Sequence, residues 1–295
     1  FNPGDSAHGV RQVARVIGCP NPVIGSALVS LYSRLTSEDV RYVGKIEVAE
    51  AAKVIENVQR DINIALVNEL ARIFPQLDVD VEEVLAAAST KWNFHRYTPG
   101  VGVGGHCIPV DPYYMIQRAA DVGVPAELIT AARAVNRTMP NHIGQVIHEI
   151  LYKAGVPSGE GRVLLLGWSY KPEVGDPRET PAKQLSETLL AKGISVSAWD
   201  PHLQENEFPE NVSVISDVYS ESNADIAILV TAHKACLTLD WDKLLKSMNR
   251  PIIYDGRRVL DLGQLQEKDG KYTPLVGRND ELIECLILAA NLGFV

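Results

Sequence analysis

The run Val163-Leu164-Leu165-Leu166-Gly167 decides the fold class of this chain. It is a short, continuous apolar segment that ends at a glycine, which predicts a strand buried inside a sheet. Downstream of it, apolar runs alternate with helical stretches, as is typical of a parallel α/β sheet. The predicted elements are a helix at Ala182–Leu190 and strands at Val196–Trp199, Asp225–Thr231 and Pro251–Tyr254. Such sheets bind ligands at the carboxyl ends of their strands, so we expect this part of the chain to hold a nucleotide.

Upstream of this strand the sequence predicts helices. Apolar residues recur at helical spacing from Val48 to Phe74, and no glycine or proline interrupts the pattern until Pro75. At ~1.5 Å per residue this helix is about 40 Å long, enough to connect domains and to pair with a copy of itself. Further helices are predicted at His8–Ile17, Ile24–Leu35, Asp80–Ser89, Tyr113–Asp121 and Ala126–Lys153, and a linker at Gly155–Gly159.

The expected fold class is therefore α/β. A central all-helical dimerisation domain with a long helix precedes a Rossmann-like parallel α/β domain. A length of 295 residues agrees with more than one compact unit. We place the central helical domain at residues 41–156 and the carboxyl-terminal α/β domain at residues 157–295.

Composition excludes several classes of protein. The chain is 46% hydrophobic with a net charge of −9, and it has no basic stripe interleaved with aromatic residues, which argues against nucleic acid as a partner. No apolar run approaches the ~20 residues of a membrane span, and the first residues do not form a signal peptide, so a cytoplasmic location is expected. The four cysteines are too scattered for a disulfide framework or a paired zinc motif, and no metal site is predicted.

The densest chemical signal is the loop Gly100-Val101-Gly102-Val103-Gly104-Gly105-His106-Cys107. Four glycines within six residues are expected where the backbone must pass very close to a ligand. The glycine spacing matches the dinucleotide fingerprint G-x-G-x-x-G, but Thr98-Pro99 precedes it instead of a strand, so we interpret the match as false. We predict instead that the loop wraps a sugar nucleotide.

Cys107 lies a few residues before a predicted helix, whose N-terminal dipole and free N–H groups favour a reactive thiolate. We interpret it as a nucleophile. His106 is expected to pack or to cap, and Asp111 is either a plain N-cap or a catalytic group. The other cysteines are interpreted as small buried hydrophobic residues: Cys19, Cys236 and Cys285.

Two further clusters carry polar side chains. Lys53 and Asn57 lie four residues apart, with Asp61 a turn further, so they share one helix face and could stabilise an oxyanion, although such pairs are usually only solvated. Lys171 and Arg178 lie on the loop that follows the first strand of the sheet, where phosphate and ribose contacts are expected. The alternative for Arg178 is a local ion pair with Asp176.

Together these clusters resemble the UDP-glucose/GDP-mannose dehydrogenase family. The resemblance rests on Glu47–Glu69, Pro99–Tyr114, Gly167–Pro181 and Tyr254–Val259, which occur in the family's order. The segment GGHCIPVDPYY is most similar to the branch that oxidises UDP-N-acetylhexosamines. The resemblance implies oxidation of the sugar C6 alcohol to a carboxylate with two NAD⁺.

The resemblance also implies roles for individual residues. Cys107 would hold the aldehyde as a thiohemiacetal, which loses a second hydride to leave a thioester that water hydrolyses. Lys53 and Asn57 would steady the oxyanion, and Asp111 would activate water or the thiol. The implied substrate contacts are Tyr97, Thr98, Gly100, Gly102, Gly104, Tyr170, Lys171 and Arg257, and the implied NAD contacts are Cys107 and Arg178.

The family begins with an NAD-binding domain, which the resemblance places before this chain. Residues 1–40 are expected to be the end of that domain, and the chain alone is expected to be inactive. The expected partners are a UDP-sugar, NAD held through that domain, and a second copy of the chain. Two alternatives remain open: a UDP-glucose 6-dehydrogenase and a non-catalytic nucleotide-sugar-binding module.

Overall fold

A short strand–helix–strand unit opens the structure, a computed structural model that describes residues 9–219 and 223–260 and the backbone of 271–274. Strands β1 (Arg15–Ile17) and β2 (Val40–Tyr42) pair in parallel, and helix α1 (Pro22–Tyr32) connects them. Asn21 caps α1 by accepting from two backbone N–H groups, and a proline occupies its first turn. The helix predicted at His8–Ile17 is wrong within the described part, because its last residues form β1.

Four helices follow and form the central part of the molecule. Helix α2 (Ile46–Ile73) has 28 residues and ends in a 3₁₀ turn at Phe74–Leu77, which contains Pro75. Helix α3 (Val81–Ala88) is capped by Asp80, and it is followed by α4 (Asp111–Asp121) and α5 (Glu127–Lys153). The helix predictions for this region are confirmed to within a few residues. None of the helices in the described residues is long and apolar enough to cross a membrane.

A six-stranded parallel sheet follows in the described residues. Its strands are β3 (Arg162–Leu166), β4 (Ser195–Trp199), β5 (Ser213–Val214), β6 (Ile226–Leu229), β7 (Ile252–Asp255) and β8 (Lys271–Pro274). Their order is β5-β4-β3-β6-β7-β8, so the direction of winding reverses between β3 and β6. Helix α6 (Pro181–Leu190) connects β3 to β4, and the short helices α7 (Lys234–Leu237) and α8 (Trp241–Ser247) connect β6 to β7. This is the order of a doubly wound nucleotide-binding sheet, whose ligand site lies at the reversal. The predicted α/β class is confirmed.

At the reversal the backbones of two strands come into close contact. Gly167, directly after β3, has a φ of +82°, and a Cβ at this position would lie 2.3 Å from the carbonyl oxygen of Thr231 after β6. Only glycine fits this conformation and this separation. The glycine that ends the deciding strand therefore brings the loops after β3 and β6 together.

The helices and the sheet share one hydrophobic core. It contains residues of α2, α3, α5 and α6 and of strands β3, β4, β6 and β7. Val156, within the predicted linker, is 5% exposed and belongs to this core, so the connection is packed. The division into domains at residues 40 and 156 stays a prediction.

The three described cysteines differ in exposure. Cys236 is buried, as predicted, while Cys19 is only half-buried and Cys107 is exposed. Cys285 lies outside the described residues. Cys107 is therefore the thiol most open to a reaction partner among those that the structure describes.

Candidate functional site

The glycine loop lies over the carboxyl edge of the sheet. The backbone N–H of Gly105 donates to the carbonyl oxygen of Glu179 at 3.2 Å. A Cβ on Gly104 would lie 2.7 Å from the same oxygen, and a Cβ on Gly105 would lie 2.9 Å from the Tyr170 ring. These glycines are thus required for contact between two segments of the chain, the loop and the stretch after β3. The same contact places Tyr170, a predicted substrate residue, directly against the loop.

Arg257 meets the other end of the loop. Its Nη1 atom lies 2.6 Å from the position that a Cβ on Gly100 would occupy. Burial lowers the pKa of Arg257, and Asp255 partly opposes this shift. Over residues 9–219 and 223–260 its side chain forms no hydrogen bond or ion pair. A half-buried guanidinium of this kind is a strong candidate for binding an anionic ligand.

A polar cluster surrounds Asp176 in the loop after β3. Arg178 donates from Nε and Nη2 to the two carboxylate oxygens at 2.9 and 2.8 Å, and His106 Nε2 lies 3.0 Å from Oδ2. The hydrogen bond from Arg178 is the main reason why the pKa of Asp176 lies well below its usual range, and His106 adds to the effect. Burial opposes this shift. The ion pair that the sequence left as an alternative is therefore formed. Whether Arg178 also contacts NAD stays a prediction.

His106 joins this cluster to Tyr170 through an edge-on ring contact at 5.9 Å between centroids. Burial raises the pKa of Tyr170, and the nearby Asp176 carboxylate raises it further. Cys107 directly follows His106, so its backbone adjoins this contact. The expectation that His106 packs rather than acts as a base agrees with this contact.

Cys107 occupies the turn that leads into α4. Its carbonyl oxygen accepts from the backbone N–H groups of Val110 and Asp111 at 3.1 and 2.8 Å. The cap of α4 is Val110, and Asp111 is the first helical residue with no capping hydrogen bond. The prediction of Asp111 as the N-cap is therefore wrong. Its carboxylate instead accepts from Asn57 Nδ2 at 2.6 Å.

Asn57 and Asp111 thus meet although 54 residues separate them. Asn57 is 5% exposed, so the pair lies at the packed junction of α2 and α4. Lys53 does not join them: its ammonium is exposed and pairs with Glu56 at 3.1 Å. Among the described residues it is hydrogen-bonded to neither Asn57 nor Asp111. The structure brings together Cys107, Asp111 and Asn57, and leaves Lys53 at the surface.

A buried polar ladder lies beneath the loop. Asp61 is fully buried and accepts from Arg133 Nη1 at 2.5 Å and from Asn136 Nδ2 at 2.8 Å. Asn136 accepts in turn from Asn68 at 2.9 Å, and Asn68 accepts from the backbone N–H of Gly100 at 2.9 Å. Burial raises the pKa of Asp61, while Arg133 and Asn136 oppose the shift. The ladder connects α2 and α5 and fixes the start of the glycine loop.

Sequence reasoning noted Asp61 but missed the rest of this ladder. A usable signal was present, because Asn68 falls between the apolar residues Val67 and Ala71 on a buried helix face. A polar side chain at such a position requires a partner. Its partner on α5 is 68 residues away, a distance over which a single sequence shows no pattern.

A cleft of about 860 Å³ opens beside the loop, between α4, α5 and α6. Several of its lining side chains carry or can carry positive charge: His106, Arg133, Arg137, Arg178 and Lys183. Arg133 and Arg178 are paired with Asp61 and Asp176, and Glu179 and Glu187 also line the cleft, so its charge is mixed. The remaining predicted contacts differ in exposure: Tyr97 packs against the core and Thr98 is exposed.

Both parts of the chain match models of one known family. Residues 47–138 match the central domain of the UDP-glucose/GDP-mannose dehydrogenase family, and residues 164–262 match its UDP binding domain. The chain is 35% identical to protein CapL of Staphylococcus aureus over 90% of its own length and 62% of CapL. It is 36% identical to UDP-N-acetyl-D-glucosamine 6-dehydrogenase of Pseudomonas aeruginosa over 88% and 62% of the two chains.

A solved structure is similar as well. The UDP-D-ManNAc dehydrogenase of Pyrococcus horikoshii superposes with a TM-score of 0.77 at 30% identity, over 90% of this chain and 60% of that one. The chain therefore spans about three fifths of the length of the relatives that it matches. The recognition of the family from its motifs is confirmed.

The ion pair of the ladder gives a prediction about stability. Asp61→Asn removes the partner of a buried guanidinium, so we expect the free energy of unfolding to fall by about 3–5 kcal/mol. Asp121→Asn, which breaks the exposed pair with Arg118, is the matched control and should cost less than ~1 kcal/mol. Urea denaturation measures both. Equal losses in the two variants would show that the ladder does not hold the helices together.

Proposed function

Because this chain belongs to the UDP-glucose/GDP-mannose dehydrogenase family, we propose that it forms part of an NAD-dependent dehydrogenase that oxidises the C6 alcohol of a UDP-sugar to a carboxylate. A UDP-N-acetylhexosamine is the proposed substrate, since similar relatives are named as UDP-N-acetyl-D-glucosamine and UDP-N-acetyl-D-mannosamine dehydrogenases. UDP-glucose is the alternative within the family. The single observation that carries the proposal is the exposed Cys107 thiol on the turn into α4. His106, directly before it, contacts Tyr170, and Asp111 at the start of α4 accepts from Asn57.

We propose that Cys107 acts as the nucleophile. NAD⁺, when bound, supplies the hydride acceptor for each of the two oxidations. After the first, the Cys107 sulfur adds to the aldehyde carbon and the carbonyl oxygen gains a proton, which gives a thiohemiacetal. Loss of the second hydride and of that proton leaves a thioester, and water cleaves it to the carboxylate and the free thiol. Covalent capture keeps the aldehyde from escaping between the two oxidations.

Asn57 and Asp111 have complementary roles in this scheme. The Asp111 carboxylate accepts from Asn57, which holds it beside the turn that carries Cys107. From there it is proposed to accept the proton of the thiol or of the attacking water. The Asn57 amide is proposed to steady negative charge on the substrate oxygen. Lys53 remains a proposed third member, although its ammonium would first have to leave Glu56.

The substrate is proposed to lie between the glycine loop and the carboxyl edge of the sheet. Arg257 would bind phosphate or sugar oxygens, because its guanidinium faces Gly100 and forms no hydrogen bond or ion pair among the described residues. Tyr170 and Lys171, beside the reversal of the sheet, would contact the nucleotide. Tyr97, Thr98 and the loop glycines at 100, 102 and 104 would enclose the sugar. A small cavity lined by Tyr170, Thr231 and Arg257 supports this placement.

The described residues supply only one edge of an NAD site. Arg178 lies at the mouth of the 860 Å³ cleft beside His106, where a cation suits the cofactor's phosphates. Gly100–Gly105 does not follow a strand, so it is not the fingerprint that cradles a pyrophosphate. The remainder of the site is therefore proposed to come from the NAD-binding domain of the family.

Helix α2 supports the proposal of a homodimer. The exposed apolar residues Val48, Ile55, Leu66 and Ile73 recur at spacings of 7, 11 and 7, which places them on one stripe along the helix. An apolar stripe about 40 Å long is suited to packing against a second copy. The face opposite to it is buried against α5.

The activity test uses this chain joined to an NAD-binding domain of the family. We expect NADH with UDP-N-acetylglucosamine or UDP-N-acetylmannosamine in preference to UDP-glucose, at two NADH per sugar. Cys107→Ser should lower uronate formation by at least roughly 10³-fold, while Cys19→Ser should retain it. An undiminished rate in Cys107→Ser would exclude the covalent route. If none of the three sugar nucleotides yields NADH, the protein is not this enzyme.

A second test concerns binding by this chain alone. We expect UDP to bind, and Arg257→Met to weaken the binding at least about tenfold, since charge-assisted hydrogen bonds to phosphate are lost. Arg118→Met, an exposed arginine of α4, is the control. Isothermal titration calorimetry measures both affinities. UDP binding without any NADH formation in the first assay would favour the non-catalytic binding module.

The third test concerns the α2 stripe. Leu66→Glu introduces a charge into the proposed helix pair, so we expect a dimer to become a monomer in sedimentation velocity. Val23→Glu, at an exposed apolar position of α1, should leave the dimer intact. A parent chain that sediments as a monomer at all concentrations would refute this part of the proposal.

A further inference from the structure

Three loops at the carboxyl edge of the sheet bring together side chains that the proposed reaction does not use. Glu173 follows β3, His202 follows β4 and His233 follows β6, and one ligand atom from each lies within 4.8 Å of the others. Glu173 Oε1 is 3.7 Å from His202 Nε2 and 4.0 Å from His233 Nδ1. The two imidazole rings lie 4.8 Å apart between centroids.

The tautomer of His233 is fixed by its surroundings. Its Nδ1 accepts from the backbone N–H of Glu173 at 3.1 Å, so this nitrogen carries a lone pair. Its Nε2 lies 3.0 Å from Asp200 Oδ2, and a carboxylate accepts only, so Nε2 carries the proton. The lone pair therefore points at the backbone N–H of Glu173, and the Glu173 carboxylate lies 4.0 Å from the same nitrogen. A histidine that donates its other N–H to a carboxylate has the arrangement that accompanies metal-binding histidines.

Asp200 is itself held rigidly. Its Oδ2 also accepts from the backbone N–H groups of Trp168 and Ser169, both at 2.7 Å. The carboxylate is buried, and so is the imidazole of His233. His233 is thus positioned before any ligand arrives. Glu173 and His202 are exposed, which gives an ion a path from solvent and room for a water molecule.

We propose that Glu173, His202 and His233 bind a zinc-class divalent ion. Two imidazoles and one carboxylate, with a further position open to water, are a ligand set that Zn²⁺ accepts. Ligand atoms about 2 Å from a tetrahedral ion lie roughly 3.3 Å from one another. The distances between the three ligand atoms must therefore shorten by several tenths of an ångström or more when the ion binds. The exposed side chains of Glu173 and His202 can make that adjustment.

The bound ion would replace two hydrogen bonds. Glu173 N–H would leave His233 Nδ1, and Glu173 Oε1 would share or leave the backbone N–H of Lys234, now at 2.8 Å. In exchange, the ion would link the loops after β3, β4 and β6. The first of these also carries Tyr170 and Lys171, so the ion would hold the loop that forms one wall of the proposed substrate site. The inference stands apart from the proposed oxidation, because it rests on other side chains.

The test is a titration of Zn²⁺ into chelator-treated chain that carries Cys107→Ser, which removes the exposed thiol as a competing ligand. We expect one equivalent of Zn²⁺ to bind by calorimetry and to raise the melting temperature, whereas Mg²⁺ does neither. His202→Ala and Glu173→Gln should each weaken binding at least about tenfold and abolish the thermal shift. Both side chains are exposed, so the melting temperatures of the metal-free variants should equal that of the metal-free parent.

The control is His148→Ala, which removes an imidazole on α5 and should leave Zn²⁺ affinity unchanged. A parent chain that binds no Zn²⁺ would overturn the proposal. Equal affinity in the parent, His202→Ala and Glu173→Gln would also overturn it, because the ion would then be bound elsewhere. The calorimetric and melting measurements require neither NAD nor a sugar nucleotide. Failure of the oxidation assay would therefore not affect the result of the zinc titration.

Discussion

The ion pair between Asp61 and Arg133 is buried beside the cleft, and the site above it depends on that pair. A buried carboxylate or a buried guanidinium without a partner strongly destabilises the fold. Each of these side chains must therefore lie where it contacts the other. Hydrogen bonds continue this contact from Asp61 to Asn136, from Asn136 to Asn68 and from Asn68 to the backbone N–H of Gly100. Two long helices and the start of the glycine loop are thereby held in one register. An apolar interface could pack the same helices, but it would supply no hydrogen-bond acceptor to the loop.

The loop fixed in this way has helices on one side and the edge of the sheet on the other. Its glycines are needed on the sheet side, where Tyr170, Glu179 and Arg257 come closer than a Cβ would allow. Its last residues turn into α4, which places Cys107 at the end of the loop and Asp111 at the start of the helix. The thiol and the carboxylate are therefore positioned by one continuous stretch of backbone, and the Arg257 guanidinium contacts the start of that stretch.

The sequence predicted helices α1 to α6 and strands β3, β4, β6 and β7, because their signals are local, but it placed a helix where β1 lies and missed β2 and β5. The apolar run at Val163–Leu166 and the uninterrupted helical spacing from Val48 to Phe74 each required only a short window. The predictions for site residues failed where contacts between distant parts of the chain determine the position of a side chain. Asp111 has the sequence context of an N-cap, but its carboxylate accepts a hydrogen bond from Asn57 on another helix instead. Lys53 and Asn57 share a helix face by spacing, yet one is exposed and the other buried, because α4 covers only part of that face.

The ion pair of Arg178 illustrates how a local alternative and a ligand contact can coexist. Asp176 uses Nε and one hydrogen of Nη2, whereas a guanidinium has five N–H donors, so three remain. The side chain is exposed at the mouth of the cleft, and those donors face solvent or a ligand. Asp176 is also bound to His106, which contacts Tyr170 and precedes Cys107. The ion pair therefore fixes the direction of the guanidinium relative to the thiol, and a phosphate could bind Arg178 without displacing Asp176.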